Sequence, residues 1–101
     1  MMWQRQDFSL PAGHPSAVGH FPGDPIIPGA LLLDAMVVAI AGAEGVVAIQ
    51  TAKFLRPARF GQPLQLRWQA QGGGQFRFEC RHGPDESMVL AGMLAVSGTA
   101  A

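Results

Sequence analysis

One segment of this 101-residue sequence needs cover on nearly every side. Residues Gly29–Ala43 are dominated by Ala, Leu and Met, and Pro28 stands where the first turn of a helix accepts proline. Gly42 and Gly45 end the segment. A helix that is apolar almost all round is covered by other parts of its protein. The pattern therefore predicts a helix that is buried on most sides.

Four strand candidates after the helix provide that cover. Two of them alternate apolar and polar residues, as half-buried strands do, and Gly72–Gly74 forms the turn between them. The last three candidates form a meander whose apolar face needs the helix. We therefore expect an α+β fold in which an antiparallel β-sheet wraps around one central helix. The four segments are Val46–Leu55, Leu64–Gln71, Gln75–Arg81 and Met88–Val96.

The composition is that of one globular domain spanning residues 1–101. Seven Lys and Arg balance seven Asp and Glu, which argues against a nucleic-acid binder that works by bulk positive charge. A single cysteine, Cys80, excludes an internal disulfide and a multi-cysteine zinc site. The longest apolar stretch, Ala30–Ala43, falls short of the roughly 18 residues that cross a bilayer. With no signal-peptide core at the start, we expect a cytoplasmic protein without a membrane segment.

Charge is unevenly distributed along the chain. Residues 1–50 carry one basic and four acidic side chains, whereas residues 51–101 carry six basic and three acidic ones. A solvated face is the usual meaning of such a cluster, and an acidic partner is the alternative.

Asp34 is the only charge in the apolar helix. Burying a neutral polar group without a hydrogen bond costs about 1–3 kcal/mol, and burying an isolated carboxylate costs more. A carboxyl group buried there would therefore stay protonated or destabilise the fold. Two ordinary explanations remain open: the carboxylate favours the nearby helix N-terminus, or it points out of a gap.

His20 precedes the helix within the Pro- and Gly-dense run of residues 9–29. A lone loop histidine is usually structural or solvated, but a fixed imidazole beside a desolvated carboxyl is the pair that acid–base catalysis needs. Pro28 and Gly29 add a helix start whose free N–H groups can hold a carbonyl oxygen, with glycine allowing close approach. Many helices begin this way for capping alone.

Other combinations point to no chemistry. His14, His20, Asp24 and Asp34 match no metal-ligand spacing, Cys80 alternates with core aromatics, and His82 lies in a turn where solvent is its simplest environment.

The stretch GHFPGDPIIPGALLLDAM, residues Gly19–Met36, resembles the signature of the beta-hydroxyacyl-[acyl-carrier-protein] dehydratases, which have the hotdog fold. That signature is His-Phe-Pro-x-x-Pro-x-x-Pro-Gly followed by a helix with an acidic residue 14 positions after the histidine. Lys53–Pro57 is similar to the strand segment that follows in this family.

The resemblance implies the roles of individual residues. His20 would be the catalytic base that takes the C2 proton, and Asp34 the catalytic acid that protonates the leaving hydroxyl. Gly29, next to Pro28, would bind the thioester carbonyl through its amide. Apolar residues that would line the acyl tunnel are Phe21, Ile26 and Leu33.

The resemblance also implies partners and cofactors. The substrate would be an acyl thioester on an acidic acyl carrier protein, for which Arg56 and Arg59 on the basic half are the docking candidates. The chain would form a homodimer or an assembly of dimers, with His20 and Asp34 of one site coming from different subunits. No metal or redox cofactor is required, because the thioester itself makes the C2 proton acidic.

Two alternative functions remain open. A hotdog thioesterase also uses a helix start and a carboxylate but does not need His20, and a non-catalytic acyl-binding subunit needs neither His20 nor Asp34. Acyl chain length and pathway (fatty acid, polyketide or aryl-polyene) are left undetermined.

Overall fold

The computed structural model describes residues 2–11 and 26–97. In these two ranges the chain forms one helix and five strands. In chain order they are β1 (Gln4–Phe8), α1 (Gly29–Ala41), β2 (Val46–Phe54), β3 (Leu64–Gly72), β4 (Gln75–His82) and β5 (Met88–Ser97).

The five strands form one antiparallel sheet in the order β1-β3-β4-β5-β2. Strands β3, β4 and β5 are the predicted meander, joined by tight turns. Strand β2 returns to the far side of β5, where its register shifts between Ile49 and Thr51. Strand β1 was not predicted, because four of its five residues are exposed and its sequence, QRQDF, carries one apolar residue. The remaining prediction, an antiparallel sheet with one helix, is confirmed.

The core lies between α1 and the inner face of the sheet. Alternation along β3 and β4 places one set of side chains on that face, and Leu66, Phe78 and Cys80 are completely buried there. On the helix, Leu32 and Met36 lie one turn apart and are 2% and 0% exposed. Burial of these side chains stabilises the sheet–helix contact by roughly 1.5–3 kcal/mol each.

The helix is covered on most sides, as predicted, but one stripe of it is open. Ala30, Asp34 and Val38, each one turn from the next, form an exposed stripe on α1. A single sheet does not reach the side of a helix that faces away from it, so that stripe stays open. The helix also ends two residues early, at Ala41, because Gly42 adopts a φ of 83°. No helix in the described ranges has the length and apolarity needed to span a membrane.

The open edge of β2 carries exposed apolar side chains. Ile49 is 42% exposed, Phe54 52% and the following Leu55 54%, and Val46 at the start of the strand is 63% exposed. Of the described strands only β5 pairs with β2, so the other edge of β2 presents backbone groups that no described strand pairs. Strand β2 and the residue after it carry four of the six large hydrophobic side chains that are exposed in the described ranges.

Candidate active site

The helix start is held in place by the segment that follows β2. The Ile27 N–H donates to the Ala58 carbonyl at 2.8 Å, and Ile26 forms an antiparallel bridge with Arg59. Arg59 is exposed, and its backbone N–H donates to the Gln62 side chain at 2.9 Å. The residues before α1 are therefore fixed against the residues after β2.

Among the residues that the structure describes, no side chain caps the N-terminus of α1. Pro28 is the last residue before the helix, with φ −57° and ψ 138°, and its carbonyl accepts a hydrogen bond from Leu31 at 3.0 Å. The first N–H groups of a helix have no partner within it, and they carry the positive end of the helix dipole. This helix start can therefore receive an electronegative oxygen.

Phe54 packs directly against that start. A β-carbon built on Gly29 would lie 2.6 Å from Phe54 Cε1 and 2.8 Å from Cζ, closer than real contacts allow. Glycine at position 29 thus lets the aromatic ring lie on the helix backbone. Phe54 was missed as a site residue at the level of sequence, although it stands in the Lys53–Pro57 segment that resembles the dehydratase family.

An apolar groove of about 580 Å³ opens at the same place. We call it the helix-start groove. It brings together three predicted substrate-binding positions, Ile26, Gly29 and Leu33, and one predicted docking position, Arg56. Phe54 forms part of its wall. The lining is mainly hydrocarbon, which suits an acyl chain, while Arg56 supplies a cation.

Asp34 lies in a second groove, the Asp34 groove, of about 440 Å³ between α1 and β1. The expectation of a buried carboxyl is wrong here, because Asp34 is exposed on the side of α1 that faces away from the core. The alternative explanation from the sequence, a carboxylate that points out of a gap, agrees with the exposed position of Asp34. Ala30, one helical turn earlier, lines the helix-start groove, so the two grooves adjoin along the outward side of α1.

The predicted partner of Asp34 is not among the described residues. His20 and Phe21 both fall in the range 12–25, outside the part of the chain that the structure describes. The pairing of His20 with Asp34, and the place of Phe21 in an acyl tunnel, therefore stay predictions.

Two other titratable side chains have structural roles. Cys80 is fully buried in the core, and desolvation raises the pKa of its thiol to about 12, so it is a neutral packing group. His82 is half-buried rather than solvated, with Nδ1 2.7 Å from Ser87 Oγ, which corrects the sequence-based expectation. Among the described residues, no three His, Cys, Asp or Glu side chains cluster closely enough to hold a metal ion.

Comparison with known proteins gives a consistent family. A family model described as ApeI-like, ApeI dehydratase, matches residues 4–92. The chain is 31% identical over 83 residues to the 3-hydroxyacyl-[acyl-carrier-protein] dehydratase FabZ of Haemophilus influenzae, covering 66% of this chain and 53% of that protein. It is 33% identical over 95 residues to FabZ of Rhizobium rhizogenes, covering 80% of this chain and 60% of that protein. The chain thus spans just over half the length of the curated relatives it matches.

Solved structures show the same fold. The dehydratase heterocomplex ApeI:P from Xenorhabdus doucetiae matches with a TM-score of 0.75 at 18% identity, covering 93% of this chain and 86% of that chain. The dehydratase domain from the CurF module of curacin polyketide synthase also gives 0.75, at 14% identity, covering 94% of this chain and 38% of that one. A fluoroacetyl-CoA-specific thioesterase gives 0.62 at 12% identity, covering 98% of this chain and 94% of that one. The predicted α+β hotdog fold is confirmed.

Proposed function

The chain belongs to the ApeI-like dehydratase family, and from that membership we propose that it removes water from a (3R)-hydroxyacyl thioester to give the trans-2-enoyl thioester. The observation that carries the proposal is the helix-start groove, an apolar groove at a helix N-terminus that no described side chain caps. An acyl thioester has the matching shape: a hydrocarbon tail and one polarised carbonyl. The proposed enzyme is a hydro-lyase that works in the cytoplasm, where carrier-bound acyl thioesters are made.

The N-terminus of α1 would stabilise the enolate. When C2 loses its proton, negative charge moves onto the thioester oxygen, and an N–H donor at Gly29 would lower the energy of that oxyanion. Pro28 fixes the chain direction entering the helix, and Gly29 leaves room for the carbonyl to approach. The apolar side chains Ile26 and Leu33 would hold the acyl chain beside it, together with Phe21.

The proton transfers balance between two side chains. His20 would accept the C2 proton, and the C2 electron pair would form the double bond to C3. The C3–O bond would break as Asp34 gives its proton to the departing hydroxyl, so water leaves. His20 ends protonated and Asp34 ionised, and proton exchange between them resets the site. The exposed carboxyl of Asp34 is accessible to a substrate hydroxyl, as this role requires.

A homodimer, or a larger assembly of dimers, is part of the proposal. An exposed apolar edge strand is an aggregation hazard in a monomer, and pairing with a second β2 would bury Ile49, Phe54 and Leu55. A helix-start groove at that edge would then border the partner subunit. If the family resemblance holds for the site, His20 of one subunit would lie next to Asp34 of the other.

The acyl group would arrive on an acyl carrier protein. Arg56 lines the helix-start groove and Arg59 is exposed three residues later, so both stand near the point where a carrier would present its thioester. Acidic carrier proteins complement such cations, mainly by speeding encounter.

One assay separates dehydration from thioester hydrolysis. The protein is incubated with 3-hydroxyacyl thioesters of several chain lengths, and enoyl formation is followed by ultraviolet absorbance while free thiol is titrated in parallel. A dehydratase produces enoyl thioester with the thiol still esterified. Release of thiol without enoyl product identifies a thioesterase, and neither product identifies a non-catalytic acyl-binding subunit.

A further inference from the structure

The Asp34 groove has a polar side chain on each of its two walls. Asp34 lies on the α1 wall and Gln6 on the β1 wall. The other described residues that line it are apolar: Phe8, Leu10, Leu31, Ala35, Val38 and Ala39. A carboxyl group and an amide thus both line one groove whose other side chains are apolar.

The sheet register explains why Gln6 points into this groove. Gln6 is paired with Leu66, which is completely buried on the inner face of the sheet. Residues paired directly across an antiparallel ladder project to the same side, so Gln6 also projects towards α1. Its neighbours Arg5 and Asp7 project to the outer face.

A side-chain amide next to an acid can donate a hydrogen bond to the leaving hydroxyl. Its N–H groups donate to an oxygen at every pH, whereas a Lys or Arg at this place would pair with the Asp34 carboxylate and hold it ionised. The oxygen of a 3-hydroxyl has two lone pairs, one for the proton of Asp34 and one for an amide N–H. As the C3–O bond breaks, that N–H would stabilise the charge gathering on the oxygen.

We propose that the Gln6 side-chain amide binds the substrate 3-hydroxyl beside Asp34, so that this groove selects hydroxylated acyl thioesters over saturated ones. The inference rests on the proposed dehydratase function and adds a substrate-binding residue from β1, a strand that the sequence pattern does not reveal.

Equilibrium binding tests this selection without turnover. The probes are pantetheine thioesters of (3R)-hydroxyoctanoate and of octanoate, and every variant carries Asp34→Asn to stop the reaction. Adding Gln6→Leu is expected to weaken binding of the hydroxyacyl probe by about 3- to 10-fold, the effect of one lost hydrogen bond, and to leave the saturated probe unchanged. Gln4→Leu is the matched control, since Gln4 has the same strand, the same side and similar exposure but does not line the groove.

The outcomes separate this inference from the proposed function. An equal loss for both probes, or none for the hydroxyacyl probe, overturns the role of Gln6, and Gln6→Val repeats the measurement if Gln6→Leu folds poorly. Selection that depends on Gln6, in a protein that forms no enoyl product, supports the role of Gln6 and contradicts dehydration. If the Asp34→Asn protein with Gln6 intact binds neither probe, the role of Gln6 is overturned, and the enoyl-formation assay decides dehydration separately.

Discussion

The Phe54 ring lies against the backbone of Gly29, with Cε1 only 2.6 Å from where a β-carbon at position 29 would stand. Strand β2 thereby reaches the first turn of the helix across the helix-start groove. The Phe54 ring and the absence of a β-carbon at Gly29 together shape the end of the helix-start groove, in which the thioester would bind.

This contact predicts the effect of adding a methyl group. Gly29→Ala should push the half-exposed Phe54 ring aside, costing about 1 kcal/mol of unfolding free energy and at least about 10-fold in kcat/KM, because the carbonyl site is crowded. Adding Phe54→Leu should restore part of the activity by making room. Urea unfolding and steady-state kinetics on both variants check this. Unchanged activity in Gly29→Ala contradicts a substrate role for this helix start.

Asp34 is expected to matter for turnover and not for folding. Because its side chain is exposed, Asp34→Asn should change the unfolding free energy by less than about 0.5 kcal/mol. Loss of a general acid should lower kcat by about 100-fold or more, and His20→Ala should do the same for the base. Glu44→Gln, an exposed acid beyond the helix end, is the control. Near-normal turnover in folded Asp34→Asn or His20→Ala protein would disprove the mechanism.

A shared site can be tested by mixing inactive subunits. If His20 and Asp34 of one site come from different subunits, heterodimers of His20→Ala with Asp34→Asn contain one intact site and regain activity. Subunit exchange is confirmed by native mass spectrometry. Full exchange without recovery means that each chain supplies its own pair.

The apolar edge of β2 predicts what abolishes the dimer. Ile49→Lys should produce monomers in light scattering coupled to gel filtration, because a buried charge at a strand–strand interface is costly. Met2→Lys, which changes an apolar residue that is 85% exposed at the chain start, is the control. A dimer that persists in Ile49→Lys locates the interface elsewhere.

Docking of an acidic carrier at Arg56 predicts a salt-dependent reaction. Arg56→Glu should lower kcat/KM for carrier-bound substrate by about 10-fold at low salt, and rising salt should lower the wild-type value, since exposed charges are screened within roughly 8–10 Å at physiological salt. A carrier-free pantetheine thioester should respond to neither change. Arg77→Glu, on the outer sheet face, is the matched control. Equal losses on both substrates would mean that Arg56 supports the groove itself.

The β4–β5 turn predicts a pH-dependent contribution to stability. The Ser87 backbone N–H donates to Asp85 Oδ1 at 2.9 Å and the Ser87 hydroxyl donates at 2.8 Å, and these bonds lower the pKa of Asp85 below its usual 3.8. Because the folded pKa is lowered, the stabilisation is present above the unfolded pKa and is lost as the pH falls through the folded value. Wild type and Asp85→Asn should therefore differ in urea stability at pH 7 and converge in strong acid. A difference that persists there assigns the effect to another group.

Local patterns account for most of the elements. The helix start at Gly29 and the strands β3, β4 and β5 follow from composition, turn residues and alternation, which act between near neighbours in the chain. The pairing of His20 with Asp34 and the lining role of Ile26 and Leu33 came from a resemblance carried by a contiguous stretch. The structure brings Ile26 and Leu33 together with Gly29 in the helix-start groove.

Tertiary packing decided the rest. Strand β1 has almost no apolar pattern and exists because it pairs with β3, about sixty residues away (Gln6 opposite Leu66). Whether Asp34 is buried depends on which side of α1 meets the sheet, and an almost uniformly apolar helix does not specify that side. The contacts of Gly29 with Phe54 and the shared groove of Gln6 and Asp34 join residues far apart in sequence. Their positions are set by the one arrangement in which sheet and helix bury the most apolar surface, a property of the whole fold rather than of any segment.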